Sequence, residues 1–149
     1  MSALWRLPEG VRVLADGSWQ VGGLPIVHAA SLRHLKACLV FEADGAFIDD
    51  GQKRVRVEIG GPAFEVVALH LDGKTGEARV VLDEGSESAV EAESLSMNPD
   101  TGRFESKARG ESARAVFSRA AHQTLIENLG EEGGAFFLRV GPRRIPIRT

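Results

Sequence analysis

Arg54 and Arg56 in the run Lys53-Arg54-Val55-Arg56-Val57, and Arg144 and Arg148 in Arg143-Arg144-Ile145-Pro146-Ile147-Arg148, are the residues best suited to chemistry in this chain. A guanidinium presents a planar fork of N–H donors that matches a carboxylate or a phosphate, so arginines brought together make an anion site. Trp19 and Phe64, with Phe47, are the aromatic side chains expected to line an adjoining apolar pocket. The same arginines have a plainer account, because charge on the outward positions of exposed strands discourages edge-to-edge aggregation.

Other chemistry finds little support in residue type or spacing. His28, His34, His70 and His122 sit in separate segments with no metal-ligand spacing, so no metal site is expected. Asp49-Asp50 precedes Gly51, which suits a tight turn better than a pair of carboxyls facing one substrate. Gly73-Lys74-Thr75 looks like the end of a phosphate-binding loop, but the upstream position that needs glycine is Ala68. No catalytic residue and no cofactor is assigned. A hydrolase or isomerase would have to assemble its site in three dimensions, with His70, Asp49 and Glu65 as candidates. His70 is the histidine expected to lie partly buried, since it interrupts an apolar strand.

The composition is that of a globular chain: 149 residues, 43% hydrophobic, with a net charge of −3. That charge gives no general attraction to nucleic acid or to an anionic membrane, and stacking aromatics are scarce at 6% with no tyrosine. Apolar runs are strand-sized, too short to cross a bilayer as helices. The start, Met1 to Pro8, lacks the basic and apolar stretches of a secretory signal, and the one cysteine, Cys38, reads as a buried thiol; both point to the cytoplasm.

The elements that must position the arginines follow from periodicity. Val11 to Leu14 and Trp19 to Val21 read as strands around the turn Asp16-Gly17. His28 or Ser31 caps a helix with Leu32, Leu35, Leu39 and Val40 on its apolar face and Arg33, His34 and Lys36 facing away. Gly45 to Ile48 and Lys53 to Ile59 read as a hairpin, and Phe64 to Leu71 as a central strand that meanders into Arg79 to Leu82. Residues 83–94 read as an acidic exposed connecting loop. After Leu95 to Met97 and Arg103 to Glu105, Ser112 reads as the cap of a helix through Ala113, Val116, Phe117, Ala120, Ala121, Leu125 and Leu129, stopped by Gly130. Gly134-Ala135-Phe136 then repeats Gly45-Ala46-Phe47, with Pro146 marking an edge strand.

This order predicts an α+β fold with an internal pseudo-repeat: two related units, each an amphipathic helix packed on antiparallel strands, sharing a core. The first repeat spans 1–82, the connecting loop 83–94 and the second repeat 95–149. An anion or a protein partner would bind at the junction of the repeats; a homodimer formed through the Pro146 edge is the structural alternative.

Several short motifs resemble a bacterial family, domain of unknown function 1285. They are Asp16-Gly17-Ser18-Trp19 with Gly23, Pro25 and Ile26, then Lys53-Arg54-Val55-Arg56-Val57-Glu58, Pro62-Ala63-Phe64, and Ala115-Val116-Phe117-Ser118-Arg119. The chain departs from that pattern at Val27, where a basic residue is expected, and at Asp49-Asp50-Gly51, where a proline with an acid is expected. The resemblance implies two related α+β units, no established activity, and a role in ligand sensing or signal transduction.

Overall fold

The computed structural model describes residues 8–109 and 113–149. Half of these are strand and 13% helix, arranged as mixed sheets with two helices. The chain divides into two compact units, Met1–Ala63 and Phe64–Thr149.

In the first unit, β1 (Val11–Val13), β2 (Trp19–Val21) and β3 (Leu24–Pro25) form a meander. Its first turn is tied by the Asp16 carboxylate, which accepts from the Ser18 amide at 2.9 Å, while Gly17 takes φ +89°. Next come α1 (Ala29–Ala37), β4 (Leu39–Glu42), β5 (Gly45–Asp49) and β6 (Arg54–Ile59). The sheet order is β3-β2-β1-β6-β5-β4, with β1 and β6 parallel. Parallel neighbours need a crossover rather than a tight turn, and α1 lies within that long connection. Alternation puts Val11, Val13, Ala46, Ile48 and Val57 in the core and leaves Arg12, Arg54, Arg56 and Glu58 outside. Trp19 is buried with its indole N–H donated to the Ala63 carbonyl at 2.9 Å, as a buried indole requires.

The second unit starts with β7 (Phe64–Asp72), β8 (Glu77–Leu82) and β9 (Glu87–Ala89). It continues as β10 (Leu95–Met97), β11 (Phe104–Ala108), β12 (Ala113–Phe117), α2 (Arg119–Glu127), β13 (Leu129–Glu132), β14 (Ala135–Val140) and β15 (Arg143–Arg148). Its sheet runs β13-β14-β15-β10-β11-β12-β7-β8-β9, with β10 parallel to β15 and β12 parallel to β7. From β10 to β15 the connectivity follows that of β1 to β6, and β7 to β9 extend the sheet beyond it. Helix α2 packs on β7 and β12, burying Ala121 and Leu125.

The expected α+β class, a pair of helix-on-strand repeats, is overturned: the protein is mostly β, and each helix is a nine-residue segment. The largest error lies at 113–129. Ala113, Ala115 and Phe117 bury at every second position and pair in register with β7 and β11, so this stretch is a strand; the helix begins only after Ser118, whose Oγ accepts from the Ala121 amide. Ser112, read as the cap, lies outside the described residues. Gly130 does not stop the helix. It is in β13, flat beneath the Phe137 ring, and a Cβ there would collide with that ring.

Several smaller features also differ from the sequence reading. Leu39 and Val40 belong to β4 and not to α1, while Lys36 is buried instead of facing solvent. Cys38 is only half-buried, at the C-cap of α1, with Sγ 3.8 Å from His34 Nε2. The acidic segment contains β9 and the buried Val90. Strand β15 is internal, between β14 and β10, despite Pro146. It pairs with β10 only through Ile147 and Arg148, beyond the proline that cannot donate. His70 is exposed.

Candidate functional site

The outward faces of β4, β5 and β6 carry a cluster built on Phe47. The ring is only 9% exposed because Arg54 and Arg56 cover it, their guanidinium carbons 4.9 and 5.0 Å from its centroid. Cation–π attraction holds both side chains over the ring. Arg54 donates to both oxygens of Glu42, at 2.6 and 2.8 Å, and to Asp49 Oδ2 at 3.1 Å. These bonds hold Glu42 below its ordinary carboxyl pKa and push Arg54 above its own. Asp49 is lowered chiefly by the Gly51 amide and then by Arg54; Asp50 is lowered by the Lys53 and Gln52 amides. Both members of the carboxyl pair therefore move the same way, as turn-forming carboxylates, whereas acid–base work needs them driven apart.

The second unit makes the same arrangement with other residues. Phe137 of β14 lies under Arg144 and Arg139, at 4.7 and 5.7 Å, and Arg144 pairs with Glu132 of β13. In cross-strand register Phe137 faces Pro146 as Phe47 faces Arg56, so Phe137, and not Phe136, occupies the place of Phe47. Arg148 pairs with Glu93 at 3.0 Å.

Of the arginines read as an anion site, Arg54, Arg144 and Arg148 thus already hold carboxylates within their own units. Arg56 differs. It donates Nη1 to the Asp44 carbonyl at 3.0 Å, rests on Phe47, and makes no ion pair among the described residues. Gly45 leaves room for it: with φ +142° and a Cβ position 2.6 Å from Nη1, that site tolerates no other residue without shifting the guanidinium.

Arg56 also lines a recess of about 410 Å³ on the first unit, with Arg12, Gln20, Glu58 and the backbone of Gly10, Gly22 and Gly23. Arg12 and Glu58 are register partners on β1 and β6 and neutralise each other through a 2.8 Å bond. Arg56 supplies the remaining positive charge. Arg12, Gln20 and Glu58 were not singled out by sequence. The signal available was the alternation that placed Arg12 on the same kind of outward position as Arg54.

The other sequence-based candidates separate. Trp19 and Phe64 are 2% and 1% exposed, core residues that line no open surface. Asp49 belongs to the first unit, His70 and Glu65 to the second. His70 faces Arg79 across β7 and β8. Among the described residues no group of three or more His, Cys, Asp or Glu could hold a metal ion, and no helix is long and apolar enough to cross a membrane.

No family model and no curated protein matches the chain. Two crystal structures do. A DUF1285 family protein from Silicibacter pomeroyi DSS-3 is 22% identical, with TM-score 0.72, over 98% of this chain and 85% of its own. Another, from Shewanella baltica OS155, is 15% identical, with TM-score 0.61, over 80% of this chain and 91% of its own. The chain therefore has the fold of DUF1285 family proteins, the family its sequence motifs resemble.

Proposed function

We propose that the chain is a non-enzymatic cytoplasmic binding module whose first unit takes a small phosphate- or carboxylate-bearing anion in the recess beside Arg56. One observation carries the reading: Arg56 is held by a ring and a carbonyl, in space that Gly45 leaves free, yet has no carboxylate partner among the described residues. A fork fixed before binding loses little side-chain entropy when an anion arrives, which favours affinity. The recess volume falls within the usual range for small-molecule sites, about 300–1,000 Å³. At Arg54, Arg144 and Arg148 an incoming anion would first have to displace a carboxylate already bonded there.

The test is a ¹H–¹⁵N titration with inorganic pyrophosphate and with citrate. Saturable shifts at the Gly10, Gly22 and Gly23 amides and the Arg56 Nε–H are expected. Shifts that saturate only elsewhere, or none at all, would sink the proposal.

A further inference from the structure

The second unit contains a recess of a different character. About 180 Å³ in volume, it is lined by Met97, Phe104, Ile126, Leu129, Phe136 and Ile147, with His122 and Thr149 as its polar side chains. The elements explain why it stays open. Helix α2 sends Leu125 into the core over β7 and β12, while Ile126, one residue on, is left 42% exposed over the opening. Phe104 is fixed from two sides, edge-on to Phe117 at 6.4 Å and tilted against the His122 ring at 5.0 Å, so it cannot swing in to fill the space. His122 is half-buried; its ring nitrogens make no hydrogen bond to the described residues and are open to solvent.

We infer that this recess binds a small neutral molecule built on a single aromatic ring and bearing one hydrogen-bonding group, with His122 receiving that group. Size and lining together set the class. An apolar cavity of about 150 Å³ accommodates one benzene ring, and walls that are mainly apolar offer little to compensate a charge brought in from water. His122 distinguishes a phenol or an indole from the bare hydrocarbon, because a ring nitrogen that gives up its water to the ligand recovers a hydrogen bond only from the former. The site is independent of the anion recess, which lies in the other unit.

The experiment is a ¹H–¹⁵N titration of the whole chain with phenol, indole and toluene. Phenol and indole should produce saturable shifts at Met97, Phe104, His122, Ile126 and Phe136, with a dissociation constant on the order of 1 mM or tighter. Ile126→Trp, which fills the opening from an exposed position, should abolish the shifts while leaving the rest of the spectrum in place. His122→Phe should keep toluene binding and remove most of the preference for phenol. Non-saturating shifts up to the solubility limit, or binding that survives Ile126→Trp, would overturn the site. Equal affinities for phenol and toluene in the unmodified protein would overturn the role of His122.

Discussion

Gly130→Ala should destabilise the second unit although it replaces a conformationally costly residue in a strand. Gly130 pairs with Phe137 across β13 and β14, and a methyl at its Cβ position overlaps the Cε2 and Cζ atoms of the ring. The ring has nowhere easy to go. It is 8% exposed, with Arg144 and Arg139 lying over it. Overpacking of this kind costs about 1–3 kcal/mol, and the better strand propensity of alanine returns about 0.5–1 kcal/mol. The net loss then spans about 0–2.5 kcal/mol and centres near 1 kcal/mol, and for a chain of this size each kcal/mol lowers Tm by about 2–4 °C. Urea unfolding followed by far-ultraviolet circular dichroism measures it, in a cycle with Phe137→Leu, whose narrower side chain leaves room for the methyl. The reasoning requires the alanine to cost less in the Phe137→Leu background than beside the native ring, a coupling expected between touching residues. Gly130→Ala more stable than the unmodified protein, or additive with Phe137→Leu, would refute it.

Leu125→Ala should cost about 2–5 kcal/mol, since Leu125 is fully buried on the inner face of α2; thermal or urea unfolding measures the loss. Ser118→Ala should cost about 0.5–2 kcal/mol by removing the acceptor for the Ala121 amide, and amide exchange in the first turn of α2 should accelerate. The carboxyls of Asp16, Asp49, Asp50, Asp72 and Glu42 are all lowered on folding, so their contribution is complete above the ordinary carboxyl pKa and is lost as pH falls through their folded values. Urea midpoints should therefore decline below about pH 4, and Asp50→Asn should make that decline shallower.

Much of the first unit was legible because its signals are local. Asp16-Gly17 names its turn, His28 caps α1 through the Ser31 amide, and β6 alternates charge with apolar residues. The 113–129 stretch carried two periods at once. Ala113, Ala115 and Phe117 alternate, while Ala113, Val116, Phe117, Ala120 and Ala121 also draw a helical stripe. Parallel pairing with β7, a segment distant in sequence, decides in favour of the strand. Pro146 misled for a similar reason, since the partner on its far side, β10, pairs only beyond it. At the candidate site, alternation identified which arginines face outward but not their partners. Glu42 and Glu132 each lie twelve residues before the arginine they bind, a spacing that has meaning only once β4 to β6 and β13 to β15 are known as meanders. What sets Arg56 apart is its lack of such a partner among the described residues, which only the folded geometry displays.

The most direct test of the anion site is calorimetric titration of inorganic pyrophosphate into the unmodified protein, Arg56→Gln and Arg144→Gln. The account predicts saturable binding that weakens at least about tenfold in Arg56→Gln, the loss of roughly one charge-assisted hydrogen bond, and is unchanged in Arg144→Gln. Binding that is indifferent to Arg56, or that is lost with Arg144 instead, would contradict it.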